Sequence, residues 1–174
     1  MTAENIYQAC PIYETASFCL RLVRLEDAPA LLKCYSDRKV VARLNADSCT
    51  NDFYYTTLEE MTACIRFWLM EYENGQYVRF AILPKAGGGA VGTMEIFGGE
   101  TGVLRTDLAV DYDRESTLRE LLELAVRQLM GDFQAESLKI KASNTPDRIP
   151  LLESFGFVPS KTFRPELGVA RHDF

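Results

Sequence analysis

Histidine is almost missing from this chain: His172 is the only one in 174 residues. Without a second histidine a Ser-His-Asp triad has little support. His172 itself lies beside Asp173 near the chain end, where a general base would lack a fixed position against its substrate. The five cysteines form no C-x-x-C. Zinc sites are built from Cys and His clusters at short spacing, so no metal site is expected and the thiols read as reduced and mostly buried. Cys19, Cys34, Cys49 and Cys64 fall at equal intervals, but their surroundings share nothing, which excludes a repeat. No G-x-x-x-x-G-K-[ST] occurs, so there is no P-loop. No apolar run approaches the roughly 20 residues of a membrane span, and the opening MTAENIYQAC has no signal-peptide pattern. The expectation is a soluble cytoplasmic protein that stays off the membrane. Basic excess is lacking too: 19 Lys and Arg stand against 25 Asp and Glu, a formal charge of −6. That disfavours nonspecific nucleic-acid binding and fits a small or cationic partner.

What is present is enough apolar residue, 47% of the chain, for a single domain over 1–174. Ser17 to Arg24 alternates as a strand does. Glu26 and Asp27 open a helix with carboxylates at its positive end, and Ala28, Leu31, Leu32 and Tyr35 form its stripe. Asp37 to Phe53 is mixed, a short helix and a loop. Thr57 to Glu60 reads as a capping box, followed by Leu58, Met61, Ile65, Trp68, Leu69 and Tyr72 at helical spacing, with Gly75 as the stop. Three strands follow, Tyr77–Leu83, Val91–Phe97 and Val103–Val110. Their short connections make them antiparallel neighbours. A helix Thr117–Met130, a strand Leu138–Ala142, a short helix near Pro150–Phe155 and strand-like residues complete the chain. An antiparallel meander joined to a strand-helix-strand crossover predicts one α+β domain of α/β-like character, with helices on both faces of a mixed central sheet.

The turn between Val110 and Thr117 is the most informative segment. A strand feeding a helix N-terminus is a common place to hold phosphate. Yet this turn has no glycine, and Asp111, Asp113 and Glu115 sit where an anion would dock. Thr117 with Glu120 also reads as a capping box, which would occupy the helix amides itself. Gly87-Gly-Gly-Ala-Val-Gly92 matches G-x-G-x-x-G, but it runs into a strand where the dinucleotide fingerprint requires a helix, so it reads as a hairpin turn. Glu95 stands mid-strand, sharing a face with Val91, Thr93 and Phe97. It either faces water or sits in a pocket with a raised pKa, where it would suit a general base taking a proton from an amine. Asn144 caps or turns the chain ahead of Leu151-Leu-Glu-Ser-Phe-Gly-Phe157, with Gly156 as a helix stop.

From about Ser17 to Val158 the order and spacing of these motifs resemble the GNAT N-acetyltransferases, especially the branch of the ribosomal-protein alanine acetyltransferases. The resemblance is carried by Leu20-Arg-Leu-Val-Arg-Leu-Glu-Asp27, by Phe80-Ala-Ile-Leu with Gly-Gly-Ala-Val-Gly-Thr93, and by Ser143-Asn-Thr-Pro with Leu-Leu-Glu-Ser-Phe-Gly-Phe157. It implies acetyl-CoA as donor and an amine as acceptor, on a small molecule or a protein N-terminus. It further implies a pantetheine lying where the fourth strand splays from the fifth. Backbone groups of Leu108, Ala109 and Val110 would hold it and polarise the thioester carbonyl, with Asn144 on the neighbouring wall. Glu95 lies on a strand from which some members draw a base. A homodimer is compatible with it.

Three positions depart from the family pattern. The pyrophosphate loop R/Q-x-x-G-x-G/A is represented by Arg114-Glu-Ser-Thr-Leu-Arg119, with the arginine but neither glycine, and the segment is about two residues short by comparison with the family. Arg114 or Arg119 would have to reach the phosphates in place of a glycine nest. Leu152 stands where many members carry a tyrosine acid, and Pro150 falls inside the usual last helix. Two readings stay open: an N-acetyltransferase, or a GNAT-like domain without CoA that serves as a binding module.

Overall fold

The computed structural model describes residues 6–44, 53–97, 101–159 and 172–173, with Phe97 and the last pair by backbone only. Six strands form one sheet in sequence order: β1 (Tyr13–Glu14), β2 (Phe18–Leu22), β3 (Val78–Pro84), β4 (Gly92–Phe97), β5 (Thr101–Leu108) and β6 (Ser137–Lys139). The first five are antiparallel, and β6 joins β5 in parallel. A separate ribbon pairs β7 (Val158–Pro159) with β8 (His172–Asp173). The sheet is therefore mixed, and the meander β3–β4–β5 is the one the short connections require. In the β3–β4 turn Gly87 and Gly88 take φ of +99° and +97°, the left-handed region open to glycine.

Alternation in the strands divides the core in two. On one face Val78, Phe80, Ile82, Met94, Ile96, Leu104 and Leu108 meet the helix α4 (Glu115–Leu124) through Leu118, Leu121 and Leu122. That helix continues through a π-helical segment, Ala125–Leu129, into the short α5 (Met130–Asp132). On the other face lie α1 (Ala28–Tyr35), α2 (Arg38–Leu44) and α3 (Leu58–Glu73), packed through Leu31, Tyr35, Met61, Ile65 and Trp68. Helix α3 has the expected capping box: Glu60 N–H donates to Thr57 Oγ1 at 3.2 Å, and Thr57 N–H returns to Glu60 Oε2 at 2.9 Å. Gly75, at φ +70°, follows its end. The last helix, α6 (Ile149–Ser154), carries Pro150 in its first turn, where the missing N–H costs nothing.

Two expectations about local structure are overturned. Helix α4 starts at Glu115, not Thr117, with Arg114 as N-cap. Thr117 faces the core at 2% exposure. Glu120 accepts from Thr15 Oγ1 at 2.8 Å and from Ser17 N at 2.9 Å and Oγ at 2.8 Å, so it ties the helix to the β1–β2 hairpin. The Thr117–Glu120 capping box does not exist, because Thr117 lies inside α4 with its side chain buried and Glu120 is held by Thr15 and Ser17. Strand β6 ends at Lys139 rather than Ala142, since β5 no longer runs beside it. Of the expected mostly buried thiols, Cys34 is buried while Cys10, Cys19 and Cys64 are half-buried. The short helix expected in Asp37–Phe53 is α2, while residues 45–52 with Cys49, the side chain of His172 and residues 160–171 lie outside the described residues. Among those described, no helix is long and apolar enough to cross a membrane.

Candidate functional site

The sheet opens between β5 and β6. Their pairing covers only Thr101↔Ser137, Gly102↔Leu138 and Val103↔Lys139, after which the strands part. Strand backbone groups point alternately to the two neighbouring strands. Ala109 N–H donates back to Val91 O at 2.8 Å, so the odd-numbered residues of this edge face β4. Thr106 and Leu108 therefore present their amides and carbonyls to the opening. Of the expected backbone trio, Ala109 has both groups engaged, its carbonyl accepting from Tyr112 N–H at 2.9 Å and Asp113 N–H at 3.0 Å. Val110 starts a 3₁₀ turn, Val110–Tyr112, at the wide end and is exposed.

That wide end meets the N-terminus of α4. No residue from 109 to 117 has positive φ. The turn is thus made without glycine because its backbone never enters glycine's region, and it is not a glycine nest. Arg114 at the N-cap makes no side-chain cap hydrogen bond, which leaves the first-turn amides and the positive helix end open. The carboxylates that seemed to oppose an anion are largely engaged. Asp113 is bound by Arg148 Nη2 at 2.8 Å and lies 2.7 Å from Arg43 Nε, an ion contact whose N–H is not aligned on the oxygen. Glu115 pairs with Arg119 at 2.7 Å. Arg119 also lies over the Phe155 ring, so of the two expected arginines only Arg114 is uncommitted among the described residues. Asn144, beyond β6, donates to Ala42 O at 3.1 Å and faces α2.

Glu95 lies elsewhere, on the face covered by α1 and α3. Its register partners are Arg79 on β3 and Arg105 on β5. Arg79 forms an ion pair with Glu95, donates to Thr93 Oγ1 at 3.1 Å and Asp107 Oδ2 at 3.2 Å, and stacks on Trp68 at 4.5 Å. Arg105 Nε meets Asp107 Oδ1 at 3.0 Å, and its Nη2 reaches Leu44 O at 3.2 Å. Tyr35 closes the group, donating to Asp107 Oδ2 at 2.8 Å. Two carboxylates thus face two guanidiniums in a buried, charge-balanced network. Burial raises the Glu95 carboxyl above the ordinary glutamate value, against the pull of Arg79 and then Arg105. Arg79, against the cost of its own burial, is held protonated by Glu95, Tyr35 and Asp107.

The network was half legible. Glu95 stood out, whereas Arg79, inside Tyr77-Val-Arg-Phe-Ala-Ile-Leu83, passed as part of a strand pattern. Charges at 79, 95, 105 and 107 on neighbouring strands of one meander are the signal that would have gathered them. Arg43 and Arg148 had no such signal, since they meet Asp113 only through the tertiary fold.

No protein-family model matches the sequence, and no curated protein does. Solved structures do. The ribosomal-protein-S5-alanine acetyltransferase from Vibrio fischeri superposes with a TM-score of 0.66 at 14% identity, over 94% of this chain and 92% of that one. The spermidine N-acetyltransferase from Vibrio cholerae, solved with CoA and spermine, gives 0.66 at 14% over 90% of each chain. A GNAT-family acetyltransferase from Bacillus anthracis gives 0.68 at 13% over 94% of each. At such identities the likeness is one of architecture, and the architecture of this chain is the GNAT acetyltransferase fold.

Proposed function

We propose that this chain is an acyl-CoA-dependent N-acyltransferase acting on a primary amine of a small molecule or a protein N-terminus. The observation that carries the proposal is the divergence of β5 from β6 after Val103 and Lys139, with an uncapped helix N-terminus at its wide end. The chain's groups fit such a donor at three points. Leu108 offers an amide and a carbonyl to an extended amide-bearing chain, the first turn of α4 offers N–H groups to a diphosphate, and Arg114 adds a mobile positive charge beside them. Bound there, acetyl-CoA would supply an activated thioester acyl group.

The remaining chemistry belongs to the protein. A primary amine is mostly protonated at neutral pH, so it must lose a proton before it attacks. Glu95 is the carboxylate whose burial raises its affinity for a proton, and at 7% exposure it would act through an intervening water. Asn144 anchors α2 to the wall past β6, and the chain's acidic charge favours a cationic acceptor.

Thermal unfolding with acetyl-CoA tests the donor: a ligand at 100 times its Kd adds roughly 2.7 kcal/mol. No shift at millimolar acetyl-CoA ends the proposal in favour of a second reading, a GNAT-fold binding module without CoA. The absence of any positive φ in the turn and the presence of Arg148 in the opening favour that second reading. If the shift is seen, Glu95→Gln is expected to keep it while turnover falls by about 10²-fold or more. Undiminished turnover would remove Glu95 as the base.

A further inference from the structure

Arg148 stands inside the opening. It closes a 3₁₀ turn, Pro146–Arg148, on the β6 side, and Pro150 follows two residues later. From there the side chain crosses to the opposite wall. Nη1 donates to Thr106 O at 3.2 Å, and Nη2 binds Asp113 Oδ1 at 2.8 Å, where β5 turns into α4. The guanidinium therefore spans the gap between the diverging strands. Helix α2 reinforces it from outside: Arg43 touches Asp113 and holds Asp147, the residue next to Arg148, through two bonds of 3.0 and 2.8 Å.

The Thr106 carbonyl is one of two on this edge, with Leu108, that face the opening near its wide end. An extended ligand laid along β5 donates its amide N–H to such carbonyls, as a neighbouring strand would. Arg148 makes that same donation from within the chain. Its seat is incomplete, however, because Nε is buried and meets no acceptor among the described residues. A buried donor left unmet costs free energy that a move toward solvent would recover.

We propose that Arg148 is an internal competitor for the donor site: it holds the place of the ligand's amide on Thr106 and must swing out before a CoA ligand seats. The inference rests on the acyltransferase reading and adds that the chain's own affinity for CoA is set by the release of Arg148 from Thr106 and Asp113. Asp113 is the anchor of the closed position, and Arg43 supports the anchor.

Calorimetric titration of coenzyme A into the wild-type chain, Arg148→Met and Asp113→Asn tests this, with thermal midpoints as the check on folding. Arg148→Met is expected to bind about tenfold or more tighter, the equivalent of one hydrogen bond from a charged donor that no longer has to be broken. Asp113→Asn should tighten binding in the same direction by less, and it decides the matter alone if Arg148→Met does not fold. Binding by Arg148→Met alone, with none by wild type, would support the competitor role and end the acyltransferase reading of the wild-type chain. If wild type binds and both variants bind equally or more weakly, Arg148 is no competitor, and the acyltransferase reading stands without it. If none of the three binds at millimolar coenzyme A, both fall.

Discussion

A chain carrying Arg79→Met is expected to be less stable than wild type by about 3–5 kcal/mol, the cost of removing one partner from a buried ion pair. Arg79 is 2% exposed and is the member of the network that touches Glu95, Thr93 and Asp107 together. Without it, Glu95 and Asp107 remain buried with Arg105 as the remaining guanidinium, and Trp68 loses the cation over its ring. The loss is a charge imbalance rather than a cavity, and this can be tested. Adding Glu95→Leu to Arg79→Met should restore much of the stability, since a buried pair can be exchanged for apolar side chains at little cost. The pH dependence supplies a second check. In Arg79→Met the folded-state pKa of Glu95 lies further above its unfolded value, so the folded chain binds the additional proton. Its deficit relative to wild type should therefore shrink as the pH falls from 7 toward the ordinary glutamate range. Urea unfolding of the four chains of the cycle at pH 7 and pH 5 measures both effects. A single variant within about 1 kcal/mol of wild type would mean that the network is not held by its charges.

The same network marks the boundary of what the residues announce. The meander β3–β4–β5 was legible because alternation and short connections leave one pairing, and that pairing fixes which charges share a face. Glu95 stood out as an acid among apolar neighbours. Its neutralising partner did not, because an arginine inside a strand pattern looks the same whether it faces water or a carboxylate. Thr117 and Glu120 show the reverse error. Their spacing fits a local capping motif, but the helix starts two residues earlier, Thr117 turns into the core, and Glu120 bonds to Thr15 and Ser17. Strand β6 looked two to three residues longer than it is, since apolar alternation reports burial and not the presence of a partner. The opening that ended it is a property of β5 and β6 together, and so is Arg148's place within it.

Gly92→Ala should be the most damaging single methyl group in the sheet. Gly92 pairs with Leu108, and a Cβ there would lie 2.0 Å from Asp107 O and 3.0 Å from both Asp107 C and Leu108 Cα. All three are backbone atoms, so no side chain can swing away to make room. The strand must move, and the one that moves carries Asp107, bound to Arg79, Arg105 and Tyr35, and Leu108, whose backbone faces the opening. We expect a loss of about 3 kcal/mol or more, the upper range for overpacking, because the clash is with an anchored main chain. Gly131→Ala is the control. It sits in α5 with nothing within 4 Å of the added carbon, and it should be neutral or stabilising by about 0.5–1 kcal/mol. The last glycine of the G-x-G-x-x-G match thus has a task of its own: it lets β4 and β5 approach closely at Leu108, beside the wide end of the opening. If Gly92→Ala folds as stably as wild type yet loses coenzyme A binding, the close approach matters for the opening alone. If stability and binding fall together, the polar network and the opening share one strand and cannot be moved separately.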